Sequence, residues 1–316
     1  MREAGCNAIQ ELAFTFANAI EYIQTCINRG LRVDYFAPRL SFFFCCTMEF
    51  FEEIAKFRAA RRIYAKIMKE RFHAKNAKSW HLRFHVQTSG ESLTAQQVDN
   101  NIVRVTTEAL AAVLGGCQSL HTNSRDEALA LPTEDSVKIA LRTQQIIATE
   151  TGLAKTVDPM AGSYYLEYLT NRIEEEVEKY LKKIDRMGGA LSAVEKGFFQ
   201  DEIRRNAYQL KKEIDENKRI IVGVNKFQDQ KDVEPNLNTI DAEIERRQVV
   251  RLKEFKSSRD KNKVEQALNG LRAATEKHSE NLMPHIIYAV KSNVTLGEIS
   301  NTFVQVFGRY QPKISF

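Results

Sequence analysis

With 316 residues, of which 43% are hydrophobic, the chain is long enough to bury a substantial core, which excludes a disordered or fibrous protein. Its 46 Lys and Arg exceed its 41 Asp and Glu by five, but the two signs are interspersed along the chain. Because no basic tract could follow a phosphate backbone, we expect no nucleic-acid partner.

The sequence also argues against a secreted or membrane protein. No uncharged apolar run approaches the about 20 residues that a membrane span requires, and the N-terminus lacks a signal-peptide profile. The five cysteines are odd in number and form no CxxC pair, which is a poor basis for a disulfide framework. We therefore expect a cytoplasmic protein with no membrane partner, and no spacing indicates a metal site.

In chain order, the first elements alternate between helices and strands. Apolar residues recur at helical spacing from Ile9 to Cys26, and Gly30 follows at the position of a C-cap. A β-rich run covers residues 34–44, and the next apolar pattern predicts a long helix over residues 48–72. The remaining predictions for this half are a strand over 80–90, a helix over 101–116, a strand over 117–123 and a helix over 135–152.

This alternation predicts parallel βα units joined by right-handed crossovers. No GxGxxG or GxxxxGKS motif follows a predicted strand, so a nucleotide-binding sheet loses its main support. We therefore expect an α/β protein in which residues 1–157 belong to a barrel.

Beyond Asp158 the pattern becomes helical. Residues 171–189 and 242–258 are amphipathic, residues 219–225 predict a lone strand, and residues 226–240 have the composition of a linker. We expect residues 158–316 to form a mostly helical extension.

Two predicted strands carry polar side chains at alternate positions, which places each set on one face. These residues are Arg39 and Ser41 in the first strand, and Arg83, His85, Gln87 and Ser89 in the second. The inward face of a parallel barrel is normally filled by bulky apolar residues, and an unpaired buried charge is costly. Either an internal hydrogen-bond network or exposure at a strand end satisfies these groups, or they meet a ligand at the strand ends.

Several long stretches, in order, closely resemble the large catalytic chain of adenosylcobalamin-dependent methylmalonyl-CoA mutase and related acyl-CoA mutases. They are REAG, FAPRLSFFF, FEEIAKFRAARRIYAKI, HVQTSG, QSLHTNSRDEALALPT, VDPMAGSYYLEYLT, MGGALSAVEKG and IVGVNKF. The resemblance implies the C-terminal part of a TIM (β/α)8 barrel, about the last three of its βα units, followed by an α-rich extension. It also implies that an acyl-CoA lies along the barrel axis beneath the cofactor.

The resemblance further implies roles for eight residues, matched motif by motif. Those toward the acyl-CoA substrate are Arg39, Ser41, His85 and Gln118. Those toward adenosylcobalamin are Glu3, Gln87, Gly90 and Glu127. Other roles stay open for Arg39 as a structural ion-pair partner, His85 as a satisfied barrel histidine and Glu127 as a helix N-terminal acid, while His121 is as readily structural as functional.

The sequence departs from the family pattern in three places. Glu91 occupies a position where the family usually has a bulky apolar residue against the corrin. The family's catalytic tyrosine and histidine belong to strands before Met1, so we expect a second chain to supply the N-terminal half of the barrel. The family's DxHxxG motif is absent, which implies a separate small cobalamin-binding subunit.

Two functions therefore compete. One is a component of an adenosylcobalamin-dependent mutase that interconverts methylmalonyl-CoA and succinyl-CoA by radical rearrangement. The other is a truncated, inactive mutase-like chain that serves as an interaction subunit or is a relic.

Overall fold

The computed structural model describes residues 1–230, 236–277 and 279–311, and these form two compact units. The first unit spans Met1–Thr239 and the second begins at Ile240. This division falls at the end of the predicted linker, of which residues 231–235 lie outside the described residues. Within the described ranges, no helix is both long enough and apolar enough to cross a membrane.

The first unit contains three strands and nine helices within its described residues. The strands are β1 (Phe42–Cys46), β2 (Phe84–Thr88) and β3 (Ser119–His121). The helices are α1 (Ala8–Asn28), α2 (Val33–Phe36), α3 (Phe50–Lys66), α4 (Ala77–Trp80), α5 (Asn100–Leu114), α6 (Glu134–Thr149), α7 (Tyr164–Arg186), α8 (Ala190–Glu195) and α9 (Phe198–Asp215). Short 3-10 turns cover Arg2–Ala4, Ala37–Arg39 and Leu153–Lys155, and a π-helical turn over Ile67–Arg71 extends α3.

The three strands form one parallel sheet in the order β1-β2-β3. Phe44 on β1 and Phe84 on β2 point to the buried face, where both rings pack around Phe57 of α3. The predicted α/β character is confirmed. Because the sheet is open within the described residues, its place in a barrel stays a prediction.

One core joins the strands to the helices that follow them. Helix α7 packs on α1 and α3, so its buried residues Leu166, Ile173 and Val177 belong to the same cluster as Phe16 of α1 and Phe57 of α3. Residues on either side of position 157 therefore share one apolar core.

Two of the predicted strands need correction. The first begins at Phe42, because residues 33–39 form a short helix and a 3-10 turn, so Arg39 lies before the strand. The lone strand predicted over 219–225 is wrong, since the segment forms a turn with one isolated bridge between Val222 and Lys226. The Asn225 side chain folds this turn by accepting from the Ile221 N–H at 2.7 Å and donating to the Arg219 carbonyl at 2.8 Å.

A cluster of buried charges ties the N-terminal turn to the end of β1. Lys56 is completely buried, and its ammonium group contacts the Glu53 carboxylate, lies 2.6 Å from Glu11 Oε2 and donates to the Cys45 carbonyl at 2.6 Å. Glu53 also binds the Arg2 guanidinium at 2.9 Å. Burial lowers the pKa of Lys56, but Glu11 and Glu53 outweigh burial and raise it above its ordinary value. We call Arg2, Glu11, Glu53 and Lys56 the buried charge cluster.

The second unit is helical in its described residues. Its helices are α10 (Ala242–Ser258), α11 (Lys261–Thr275), α12 (Met283–Lys291) and α13 (Leu296–Phe307). A small core that includes Val264, Leu271 and Ile299 holds α11, α12 and α13 together. Arg259 and Glu298 pair at 2.5 Å, and a capping box of Thr295 and Glu298 starts α13.

We expect Lys56→Met to destabilise the first unit by about 3–5 kcal/mol, because it leaves the Glu11 carboxylate buried without a cation and leaves Glu53 with Arg2 alone. Denaturant unfolding followed by circular dichroism measures this change. A matched control is Lys179→Met, which removes an exposed ion pair with Glu176 and should change stability by less than about 1 kcal/mol. Equal effects of the two substitutions would contradict the importance of the cluster.

Candidate functional site

The second face of the sheet is polar and open. The parallel register sets Phe43, His85 and Ser119 side by side, and it sets Gln87 beside His121 one step further along. None of these five side chains is buried. The alternation predicted from the sequence of β2 is therefore present in the structure, and it extends to β3.

Polar contacts along this face run between neighbouring strands. His85 Nδ1 lies 2.6 Å from Ser119 Oγ, and the Phe43 ring centroid lies 5.3 Å from that of His85. Gln87 Nε2 donates to Asn123 Oδ1 at 3.1 Å. Partial burial, and then the nearby His121, lower the pKa of His85 below its ordinary value. The imidazole is therefore neutral at neutral pH and acts as a hydrogen-bonding group.

Four residues converge where β2 and β3 end. The Gly90 N–H donates to Glu3 Oε1 at 2.9 Å. A Cβ atom added to Gly90 would lie 3.2 Å from Glu3 Oε1, 3.3 Å from Asn123 Nδ2 and 3.7 Å from Glu127 Cγ. Glycine thus lets the chain pass close to three polar side chains. Three residues expected near the cofactor, Glu3, Gly90 and Glu127, meet at this position, which we call the strand-end cradle together with Asn123.

Asn123 was not singled out from the sequence. Its side chain is 1% exposed, and its Nδ2 has no hydrogen-bond partner among the described residues. A buried amide without a partner is costly, so such a donor points to an acceptor supplied by a ligand. The signal available was spacing, because Asn123 continues the alternate positions of Ser119 and His121 past the end of β3.

Three other predicted site residues lie apart from this cradle. Arg39 is exposed and its guanidinium lies 5.6 Å from the Tyr35 ring centroid. Ser41 is exposed just before β1. Gln118 precedes β3, where its Oε1 accepts from the Phe84 N–H at 2.8 Å and its Nε2 donates to the Gly116 carbonyl at 3.1 Å. The structure brings together the residues expected near the cofactor more closely than those expected near the substrate.

The two further polar residues of the β2 run, Arg83 and Ser89, differ in how the protein satisfies them. The Arg83 guanidinium donates to the Pro38 carbonyl, so it anchors the 3-10 turn before β1. Ser89 is fully buried and its N–H donates to the Cys46 carbonyl at 2.8 Å, but its Oγ has no hydrogen-bond partner among the described residues. For Arg83 the contacts favour the internal-network interpretation, whereas the Ser89 hydroxyl is not satisfied by such a network.

Glu91 lies beside the cradle in an exposed position. Desolvation raises the pKa of its carboxyl group, while Arg2 and Arg219 oppose the shift. The resemblance implies a bulky apolar residue at this position, and this chain has a carboxyl group instead.

The cradle has the properties that a large cofactor with amide or hydroxyl groups requires. It offers a free donor on Asn123, carboxylates on Glu3 and Glu127, and backbone access at Gly90. The open face beside it leaves room for a second ligand along the strands. The residues present therefore fit adenosylcobalamin at the strand ends, with Glu91 as the one unfavourable neighbour.

We expect His121→Gln to raise the pKa of His85 part of the way to its ordinary value of about 6.5, because it removes the second cause of the shift and leaves desolvation. A titration of the imidazole resonances by NMR measures this. His73→Gln is the control, since His73 does not contribute to the shift. A pKa of His85 that stays unchanged in His121→Gln would rule out the proximity of the two rings.

Comparison with known proteins gives the chain's relationships. It matches the family described as methylmalonyl-CoA mutase over residues 1–309. It is 46% identical over 310 residues to the 2-hydroxyisobutanoyl-CoA mutase large subunit of Aquincola tertiaricarbonis. The aligned residues make up 98% of this chain and 55% of that protein. It is 45% identical over 311 residues to the methylmalonyl-CoA mutase of Escherichia coli (strain K12), and the aligned residues make up 98% of this chain and 43% of that protein.

A third relative is the mitochondrial methylmalonyl-CoA mutase of Homo sapiens, 45% identical over 312 residues, with 98% of this chain and 42% of the relative covered. The chain therefore spans about half the length of the curated relatives it matches. The polar strand face and the strand-end cradle lie within the matched residues. The chain belongs to the methylmalonyl-CoA mutase family.

Proposed function

We propose that this chain is a component of an adenosylcobalamin-dependent acyl-CoA mutase that isomerises methylmalonyl-CoA and succinyl-CoA. The observation that carries the proposal is the buried, unpartnered Asn123 Nδ2 beside Gly90, Glu3 and Glu127. Four polar groups gathered at strand ends, with a donor left free, support a ligand there more readily than a purely structural role. Family membership supplies the identity of that ligand.

The open face of the sheet would hold the acyl-CoA. Arg39 and Ser41 would contact it near the start of β1, and Gln118 would reach it after releasing its backbone contacts. His85 would offer a hydrogen bond without a charge, because its lowered pKa keeps the imidazole neutral. Neutral groups can orient a thioester oxygen while the closed site excludes water from a reactive intermediate.

The strand-end cradle would hold the cofactor. Glu3 and Glu127 would accept from its hydroxyl or amide groups, Asn123 would donate to it, and Gly90 would allow close approach of the backbone. Gln87 would act through Asn123, whose Oδ1 it already contacts at 3.1 Å. When bound, adenosylcobalamin supplies the radical that starts the carbon-skeleton rearrangement.

The proposed site also includes groups that the described residues do not supply. A partner would supply the remaining strands of a TIM barrel, of which β1, β2 and β3 would be three, and a small subunit would bind the cobalamin. In the described residues β3 has no strand on its outer side, which makes it the more open edge. At Cys45 the outer edge of β1 is occupied, because its N–H donates to Glu11 Oε1 at 2.8 Å and its carbonyl accepts from Lys56. A partner strand on β1 would therefore pair before Cys45.

Two points of this proposal rest on the relatives. The acyl group is taken as methylmalonyl from the named mutases, and 2-hydroxyisobutanoyl, named in another relative, is the next substrate to test. A reducing compartment such as the cytoplasm suits the free cysteines, among them Cys45 and Cys46 in the core.

The alternative function is a non-catalytic interaction subunit, and Glu91 is the observation that favours it. Its carboxylate would face the corrin with Arg2 and Arg219 as the cations that influence it. If the desolvated charge prevents cofactor binding, the chain would keep its partner surfaces and lose activity. Cofactor binding by the assembled complex separates the two functions.

We expect the isolated chain to show no mutase turnover and to self-associate through its open strand edges. Co-expression with a chain that encodes the first part of the barrel and with a cobalamin-binding subunit should restore isomerisation of methylmalonyl-CoA.

Asn123→Ala should reduce kcat/KM of the complex at least about tenfold by removing a ligand contact. The control is Lys179→Met, which removes only the exposed ion pair with Glu176 on α7 and should leave kcat/KM unchanged.

The measurement is a coupled assay of acyl-CoA isomerisation with both methylmalonyl-CoA and 2-hydroxyisobutanoyl-CoA. Turnover by the isolated chain would refute the need for partners. A complex that assembles and binds adenosylcobalamin but has no activity on either substrate would contradict the proposed reaction. A complex that assembles without binding the cofactor would establish the interaction subunit instead.

A further inference from the structure

The carboxylate that meets Gly90 belongs to a short turn at the N-terminus. Glu3 is exposed, and its Oε1 accepts from the Gly90 N–H at 2.9 Å. Before it in the turn, the Arg2 guanidinium donates to Glu53 Oε1 of the buried charge cluster at 2.9 Å. After it, Gly5 is buried and ends the turn in a left-handed conformation with φ at 109°. The placement of this exposed carboxylate therefore depends on what holds Arg2 and Gly5 on either side of it.

Gly5 is held by Asn206 on α9. Asn206 Nδ2 donates to the Gly5 carbonyl at 2.6 Å, and Asn206 Oδ1 accepts from Asn7 Nδ2 at 3.5 Å. The next residue, Ala207, lies so close to the turn that a Cβ atom added to Gly5 would be 2.4 Å from Ala207 Cβ. One amide thus joins the end of the N-terminal turn to the N-cap residue of α1, and glycine lets the turn lie directly against α9.

Helix α9 is itself anchored at its start. Phe198 and Phe199 are buried in the main core, and the Phe199 ring stacks on Phe14 with 4.2 Å between the ring centroids. Ile203 packs against the same core four residues later, and Asn206 follows seven residues after Phe199. Spacings of four and seven residues put these three side chains on one face of the helix. The apolar stripe of α9 therefore continues into an amide at the point where the helix meets the N-terminal turn.

The segment that follows α9 is tied to the first unit at two further places. Arg219 pairs with Glu49, the N-cap residue of α3. The Val222 carbonyl accepts from the Arg104 guanidinium of α5 at 2.8 Å. These contacts hold the C-terminal end of α9 without help from Asn206, as the core holds its start. The helix is therefore a fixed support for the turn, and it does not need the turn to keep its own place.

We propose that Asn206 is a positioning residue, which places the Glu3 carboxylate at the Gly90 N–H. Arg2 ties the turn to the buried charge cluster, and Asn206 adds a second tether at Gly5 from α9. With both tethers the turn cannot pivot, whereas with Arg2 alone it can, and Glu3 then moves off the Gly90 N–H. One side of the strand-end cradle opens as a result. The cofactor as the ligand of the cradle rests on the proposed function, but the placement of Glu3 does not.

The test on the chain itself is hydrogen exchange of the Gly90 amide, read by mass spectrometry on overlapping peptides. Asn206→Ala should raise the exchange rate of this amide at least about threefold, because the amide loses its acceptor. Glu3→Ala should raise the rate as well, and adding Asn206→Ala to Glu3→Ala should raise it no further. The matched control is Asn171→Ala, which removes a hydrogen bond of 2.9 Å between α7 and Arg62 of α3 and should leave the Gly90 amide unchanged.

Asn206→Asp is a second variant, which keeps the shape of the side chain and replaces the donor by an oxygen, so it should act on the Gly90 amide as Asn206→Ala does. An exchange rate that stays unchanged in either variant would overturn the proposal. Equal increases from Asn206→Ala with and without the Glu3 carboxylate would overturn it too, because they would show a general loosening and no effect through Glu3.

In the assembled complex, the dissociation constant for adenosylcobalamin, measured by absorbance, should rise at least about fivefold in Asn206→Ala. In the Glu3→Ala background the same substitution should raise it no further. A complex that binds the cofactor equally well with and without the Asn206 amide would overturn the positioning role and leave the proposed function standing. The expected exchange rates in a chain whose complex never binds adenosylcobalamin would support the positioning role and contradict the proposed function.

Discussion

The buried charge cluster around Lys56 is the constraint on which the rest of the first unit depends. A completely buried ammonium group is tolerated because Glu11, Glu53 and the Cys45 carbonyl surround it. Those three groups come from α1, α3 and β1, so a single cation fixes three elements relative to one another. Arg2 then binds Glu53 from the other side at 2.9 Å and brings the N-terminal turn to the sheet. Because Glu3 follows Arg2 directly, the cluster also places a carboxylate at the Gly90 N–H, 2.9 Å away.

One side of the sheet stays uncovered in this framework, and the proposed function uses it. The apolar sides of β1 and β2 pack on α3 and α5, while His85, Gln87 and their neighbours on β3 remain open. Just past the strand ends the structure holds polar groups that it does not satisfy among the described residues, namely Asn123 Nδ2 and Ser89 Oγ. Unsatisfied buried groups cost folding free energy, and in the proposed function a ligand supplies the partner of Asn123 Nδ2.

Much of the fold could be predicted from the sequence, because period-two and period-3.6 patterns report burial directly. The alternation in β2 correctly indicated that His85 and Gln87 share an open face, and the helices around it were placed within a few residues. The strand predicted over 219–225 failed because β-branched residues fit a strand, whereas the Asn225 amide and the positive φ of Gly223 fold the segment into a turn. Asn123 was missed because its importance lies in an unpaired buried atom, which depends on long-range packing that local patterns do not encode. Gln118 was singled out from a motif match, but the match does not reveal that its side-chain oxygen already accepts from the Phe84 N–H.

The most direct measurement is a cryo-EM structure of the chain assembled with the rest of its barrel, a cobalamin-binding subunit and adenosylcobalamin. The account predicts that Asn123 Nδ2 lies within about 3.5 Å of an acceptor on the cofactor and that His85 and Gln87 line the cavity beneath it. It would be contradicted if side chains of the protein partners filled the open face of the sheet. Cofactor density remote from Gly90 and Asn123 would contradict it equally.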